Sequence, residues 1–403
     1  MAVHPVPALA PRADTTVTLL ATAAFFSGAA LRICDSLLPR LAHDFSVTPG
    51  VAGRVIIGFA IAYGLMQLVF GPLGDRYGKA RLMCVALFGC AAAALASAFA
   101  PGFDALVLTR MAWGMCAAGV IPLAMAWIGD AVPYERRQAT LARFLTGTLS
   151  GMVAGQLAGG LFADSAPGWR GAFLSVAAGY LVVALLMLAR IRSAPPPAIV
   201  AGRGSLDFAL QLRTVLQVPW ARVVLASALA EGMFLLGPMS YLPAYLHQRF
   251  GLTLTAASAM LALYAVGGLV YALTARHIVL RFGERRMVLA GGVLMGAGFL
   301  AWWLTPFWQL AGPIALLVGF GTYLYHNTLQ TNATQMAPAV RGTSVALFAF
   351  CLFVGQAIGV SGAGFLFDHF GPAPLLLAPA LALPLAGWAF AYALRRRVLS
   401  QST

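Results

Sequence analysis

The chain has 403 residues, of which 61% are hydrophobic and only 9% charged, where a soluble domain carries about 45–50% and about 25%. So much apolar surface behind so few charges excludes a cytosolic enzyme, a disordered chain and a secreted disulfide scaffold, and leaves a polytopic membrane protein. The net charge of +14 does not point to nucleic acid, because the bases stand in short loops between apolar runs and form no stripe with interleaved aromatics.

In chain order the apolar runs are 16–38, 51–71, 82–100, 103–127, 139–163, 170–189, 223–246, 254–278, 287–305, 308–332, 343–366 and 373–394. Each is near the roughly 20 residues a helix needs to cross a bilayer. Runs this long and apolar predict helices, and the alternating ten-residue segments of a barrel are missing. The first run holds Arg32 and Asp35 and no small-residue cleavage site, so a retained helix is expected and not a signal peptide. The remaining length leaves no room for a further soluble domain. Cys34, Cys84, Cys90, Cys116 and Cys351 fall inside apolar runs without metal-ligand spacing and read as small buried hydrophobes.

Loop charge sets the expected sidedness. With the N-terminus in the cytoplasm, the cytoplasmic side holds Arg12; Arg76, Lys79 and Arg81; Arg136, Arg137 and Arg143; Arg190, Arg192, Arg203, Arg213 and Arg222; Arg276, Arg281, Arg285 and Arg286; Arg341; and Arg395, Arg396 and Arg397. The other side holds Arg40, Arg54, Arg170 and Arg249. A bias of 20 to 4 places both termini inside. The expected location is a bacterial inner membrane.

The expected domains are an N-terminal six-helix bundle (1–190), a cytoplasmic linker (191–222) and a C-terminal six-helix bundle (223–403). The linker carries Pro195-Pro196-Pro197 and Gly202-Arg203-Gly204. The halves repeat each other. Asp75-Arg76-Tyr77-Gly78 aligns with Leu280-Arg281-Phe282-Gly283 at a shift of 205, which also carries Pro133 onto Pro338 and Arg136 onto Arg341. Leu38-Pro39 pairs with Leu242-Pro243 at 204, and Gly155-Gln156 and Gly159 pair with Gly355-Gln356 and Gly359 at 200. Parallel repeats of this kind are a known transporter plan.

Gly71-Pro72-Leu73-Gly74-Asp75-Arg76-Tyr77-Gly78-Lys79-Ala80-Arg81, between spans two and three, resembles the loop signature of the major facilitator superfamily. Arg110 and Gly114 in span four are similar to its Arg-containing motif. Gly151 through Gly160, with Gly155, Gln156 and Gly159, resembles its glycine-rich antiporter motif, with Gln156 where that pattern has Pro. The nearest branch is the twelve-helix drug:proton antiporters. The resemblance implies an all-α membrane protein of twelve helices in two parallel-repeated bundles. It also implies that the Asp75 loop, with Glu135, Arg136 and Arg137 after span four, latches the inner gate, and that spans one, four, seven and ten line the cavity.

Ionised side chains at mid-bilayer cost at least ~2.5–3.5 kcal/mol, so Arg32, Asp35, Arg110 and Glu231 inside the spans are candidates for proton or substrate handling. Asp35 lies one turn after Arg32, and its depth agrees with that of Arg110. His326 titrates nearer neutrality and is a further candidate carrier. Trp113, Phe234, Tyr323, Asn327, Gln330 and Gln356 are candidate cavity residues, with Tyr325 beside them. Gly151, Gly155 and Gly159 present a smooth face for close helix approach.

The leading expectation is a proton-coupled exporter of a small, partly apolar molecule or drug, acting by alternating access. The alternative is an uptake carrier for an organic anion held by Arg32 and Arg110. A membrane sensor or enzyme is disfavoured, since His-Glu-x-x-His, Gly-x-Gly-x-x-Gly and Walker patterns are missing. No cofactor, metal or nucleic acid is expected. The expected partners are substrate, protons and the bilayer, and the expected state is a monomer.

Overall fold

The computed structural model describes residues 11–192 and 208–401. Twelve long helices follow one another, and no strand occurs among the described residues. The first half comprises α1 (Pro11–Asp44), α2 (Pro49–Tyr77), α3 (Lys79–Ala98), α4 (Phe103–Ala131), α5 (Tyr134–Ala163) and α6 (Gly168–Arg192). The second begins with α7 (Pro219–Phe250). One continuous stretch, Leu254–Leu304, breaks at Gly283 into α8 (254–282) and α9 (284–304). Then come α10 (Ala311–Gln335), α11 (Arg341–Phe370) and α12 (Pro372–Gln401).

The repeated loop owes its sharpness to glycine. Gly78 has φ 88° and Gly283 φ 68°, a region that side chains with a Cβ rarely enter. These two positions are matched by the 205 shift. Within the span read as linker, a short helix, Phe208–Gln217, precedes α7. The Pro195 to Pro197 and Gly202 to Gly204 stretches lie outside the described residues.

Among the described residues, nine helical segments are long and apolar enough to cross a membrane, α8 and α9 counting as one. Helices α5 and α10 are not among them. Their Gly, Thr, Gln, Asn and His content suits helices that turn a polar face to protein and not to lipid. Lipid-type surface sits elsewhere: Leu181, Val182, Leu185 and Leu186 of α6, and Leu381, Leu385 and Trp388 of α12, are all exposed.

Helix α1 packs along α5, α7 along α11, α3 on α6, and the α8–α9 stretch on α10 and α12. The glycines explain the closest pairs. A Cβ on Gly151, Gly155 or Gly159 would run into the carbonyl oxygens of Phe25, Ala29 or Ile33. A Cβ on Gly355 or Gly359 would run into those of Leu229 and Met233. Phe25 and Ala29 precede Leu229 and Met233 by 204, so the true partners are Gly151 with Gly355 and Gly155 with Gly359. This corrects the 200-residue register that paired Gln156 with Gln356. What repeats is the glycine that admits a facing carbonyl; Gln156, next to Gly155, has no counterpart next to Gly359, where Val360 stands.

The halves meet through α2 against α11 and α5 against α8. Hydrogen bonds join them at one end of the bundle, where Asp164 reaches Leu254 and Thr255, Asp368 reaches Thr48 and Gly50, and Ser258 reaches Ser36. At the other end, where α1 begins and α12 ends, Asp75 is 75% exposed and its partner is Lys79 of its own half.

Candidate functional site: a cavity between the halves

A cavity of about 480 Å³, counting space open to solvent, lies between the halves. Helix α1 contributes Arg32 and Asp35, α5 Leu149, Met152, Val153 and Gln156, and α7 Met239. Helix α8 contributes Leu261, Ala262, Tyr264 and Ala265, and α10 contributes Tyr323. Most of the wall is apolar, and the charge is gathered on α1.

Arg32 Nη1 donates to Asp35 Oδ2 at 3.2 Å, one helical turn away. Asp35 is 2% exposed and the Arg32 side chain 13%. The charge presented to the cavity is therefore the guanidinium, with its counter-ion beneath it. The second carboxylate oxygen, Oδ1, has no hydrogen-bond partner. Beside the pair, Gln156 Nε2 donates to Ser36 Oγ at 2.8 Å, and Ser258 Oγ donates to the same oxygen at 2.7 Å. This polar chain crosses from α5 through α1 to α8.

Arg110 does not join this group. It is 1% exposed, and its guanidinium lies 4.3 Å from the Phe59 ring centre, 4.6 Å from that of Trp113 and 5.9 Å from that of Phe173. Nη2 donates to the Ala30 carbonyl at 3.3 Å, while Nε and Nη1 have no partner. Equal depth with Asp35 does not fix the direction in which α4 points its side chain, and aromatic faces take the place of the carboxylate. Trp113 is fully buried as a wall of that cage and does not line the cavity.

A second buried pair joins α7 to α10. His326 Nδ1 stands 3.0 Å from both oxygens of Glu231, which is 2% exposed. A five-residue π turn, Gly232–Leu236, interrupts α7 directly after Glu231, a distortion frequent at functional sites. The His326 ring lies 5.6 Å from that of Phe348.

Of the other expected cavity residues, Tyr323 lines it. Phe234 packs on the core, Asn327 Nδ2 donates to the Tyr271 hydroxyl at 2.9 Å, Gln330 is exposed and Gln356 is buried on α11. Tyr325 is buried.

In the loop motif, Lys79 bridges Asp75, at 3.6 Å, and Asp130 of α4. Arg76 lies over the Tyr77 ring and Arg81 is exposed. A Cβ on Gly71 would meet nothing within 4 Å, whereas one on Gly74 would meet Leu123. Arg137 donates to the Val132 carbonyl and Arg136 is half-buried. The Glu135 side chain lies outside the described residues. In α5, Gly160 faces Leu254 and Ser258 of α8.

Sequence reasoning missed most of the wall: Leu149, Met152, Val153, Met239, Leu261 and Tyr264. Apolar residues in an apolar helix carry no mark of their own. Met239 had one signal, since the Leu38–Leu242 register makes it the counterpart of Asp35.

Twelve helices in two repeated bundles, with the Arg32–Asp35 ion pair at a cavity between them, define a polytopic membrane transporter. Residues 20–360, and again 250–402, match the Major Facilitator Superfamily, and the chain belongs to that superfamily. It is accordingly a transporter of small molecules and not an enzyme. The MFS-type transporter YceJ of Bacillus subtilis (strain 168) is 28% identical over 360 residues, covering 86% of this chain and 88% of its own. An MFS-type efflux pump of Mycolicibacterium smegmatis (strain ATCC 700084 / mc(2)155) is 26% identical over 405 residues, covering 92% of both. The fold is similar to the nucleoside transporter NupG, with TM-score 0.79 at 13% identity over 94% of this chain and 98% of that one. It is also similar to a bacterial homologue of the human lysosomal transporter Spinster in an inward-facing, occupied conformation, with TM-score 0.77 at 18% identity over 96% and 98%.

Proposed function

We propose that the protein exports a small, partly apolar molecule or drug in exchange for protons, by alternating access, from a bacterial inner membrane with both termini in the cytoplasm. The observation that carries this reading is the Arg32–Asp35 pair at the wall of an otherwise apolar cavity. A carboxyl that meets a cation in one gate state and loses it in the other changes its proton affinity during the cycle, and this ties proton movement to the conformational change. The name of the M. smegmatis relative favours export. With the bias of loop charge, the joined end faces outward and the cavity opens toward the cytoplasm. Glu231 with His326 is the second candidate proton site. The loop at Asp75 acts as the inner latch once that end closes.

One observation favours a second reading, proton-coupled uptake of an organic anion: the cavity meets the Arg32 guanidinium before the Asp35 carboxylate. Arg110, caged elsewhere, would not share in holding that anion.

A thermal-shift screen of the purified protein against drugs and metabolites identifies a ligand, whose flux into proteoliposomes is then driven by a pH gradient. Asp35→Asn is expected to abolish uphill flux while ligand binding and ligand–ligand counterflow survive. Uphill flux at the unmodified rate would remove Asp35 from coupling and move the role to Glu231 and His326. Hypersensitivity of a deletion strain supports export; failure to grow on one carbon source supports uptake.

A further inference from the structure

At the joined end two carboxylates make matching contacts across the halves. Asp164, the residue that closes α5, accepts from the backbone N–H of Leu254 at 3.2 Å, from the N–H of Thr255 at 2.7 Å and from the Thr255 hydroxyl at 2.7 Å. Asp368, near the end of α11, accepts from the Gly50 N–H at 3.0 Å and from the Thr48 hydroxyl at 2.5 Å. Each acid therefore caps the first turn of a helix in the opposite half: α5 holds α8, and α11 holds α2.

The two contacts correspond in their acid and in one amide. Asp164 and Asp368 are 204 apart, the register that pairs the glycine faces of α5 and α11. Gly50 and Thr255, whose amides receive the two acids, are 205 apart, as are Thr48 and Thr253. Those threonines are the N-caps of α2 and α8, each accepting from the N–H three residues on, Val51 and Ala256. Small residues let the helices approach. A Cβ on Gly50 would strike the Gly364 carbonyl and the Asp368 carboxylate, and a Cβ on Gly160 would strike Ser258. Gly160 and Gly364 are again 204 apart.

We propose that Asp164 and Asp368 are a duplicated pair of gate residues whose carboxylates hold this end of the transporter shut. The proposal rests on the alternating-access reading only for what happens at the opposite end. The chemistry is specific to a carboxylate. It offers acceptors alone, so N–H and hydroxyl donors converge on it without conflict, two N–H groups and a hydroxyl at Asp164 and one of each at Asp368, and its charge shortens and strengthens the bonds. An Asn at the same place must turn its NH2 toward one of those donors. Neither acid lines the cavity. They set which end of the cavity is open, and because both contacts cross between halves, both break together when the halves rock.

The test uses the full chain in nanodiscs, with its native cysteines replaced, and two spin-label pairs. One pair at Phe99→Cys and Phe307→Cys spans the joined end, and one at Tyr77→Cys and Leu280→Cys spans the opposite end; all four positions are exposed. Asp164→Asn and Asp368→Asn should each shift the Phe99/Phe307 distance to longer values, the double variant should shift it further, and Asp164→Glu should keep the short distance. Thr255→Val, which removes one donor and leaves the acid in place, should give a smaller shift and serves if the Asn variants fold poorly. An unchanged short distance in a folded double variant, or in Thr255→Val if only that folds, overturns the proposal. The Tyr77/Leu280 distance reads the other premise. Shortening there in the same variants supports coupled gates, whereas lengthening at the joined end alone confirms the clasps and overturns the rocking motion.

Discussion

Buried charge is compensated in three different ways in this protein. Asp35 has a cation one turn away on its own helix, Glu231 has an imidazole from another helix, and Arg110 has three aromatic faces. Removing one partner of a buried pair leaves the other charge without compensation, at a cost of about 3–5 kcal/mol. His326→Ala should therefore lower the melting temperature of the purified protein clearly, and adding Glu231→Gln should restore much of the loss; a double variant no more stable than the single would show that the pair is not the cause. Around Arg110 a ring face in a desolvated setting is worth about 2 kcal/mol. Trp113→Leu should lower stability on that order yet leave the ligand-induced thermal shift unchanged, because Trp113 does not line the cavity. A lost ligand shift in a folded Trp113→Leu protein would place the ring at the binding site after all.

At the scale of elements, the α1–α5 and α7–α11 pairs depend on missing side chains. Gly155→Ala would push a methyl into the Ala29 carbonyl and Gly359→Ala one into that of Met233; overpacking of this kind costs about 1–3 kcal/mol. Gly362→Ala meets nothing within 4 Å on α11 and should be neutral or slightly stabilising. Equal melting temperatures for Gly155→Ala and Gly362→Ala would refute the close-packing account. The α2–α3 loop behaves differently. Asp75 is too exposed for its contact with Lys79 to stabilise much, so Asp75→Asn should express and fold well. Transport should nonetheless be severely slowed, because the acid is needed when that end closes; wild-type rates would reduce the loop to a topological signal.

For the whole molecule, an even number of crossings puts the N- and C-termini on one side, and the proposed assignment of that side to the cytoplasm rests on the loop bases. A C-terminal fusion to green fluorescent protein should glow and one to alkaline phosphatase should be inactive. The opposite pair of results would invert the sidedness, and with it the assignment of the clasped end as the outer gate.

The membrane setting, the twelve helices and the duplication follow from the sequence by itself, because hydropathy, length and repeated motifs are written locally along the chain. The charged residues that matter, Arg32, Asp35, Arg110, Glu231 and His326, also stand out there, since each is costly in a bilayer wherever it points. Their partners do not stand out. Whether Arg110 meets Asp35 or a ring cage, whether Glu231 meets His326, which apolar residues of α5 and α8 line the cavity, and which amides Asp164 and Asp368 hold were decided only by the tertiary structure. Each depends on the direction a side chain takes around its helix and on which helix stands opposite. The repeat register on α5 shows the same limit: the letters favoured aligning Gln156 with Gln356, and the approach of a carbonyl to a glycine in three dimensions moved it by one turn.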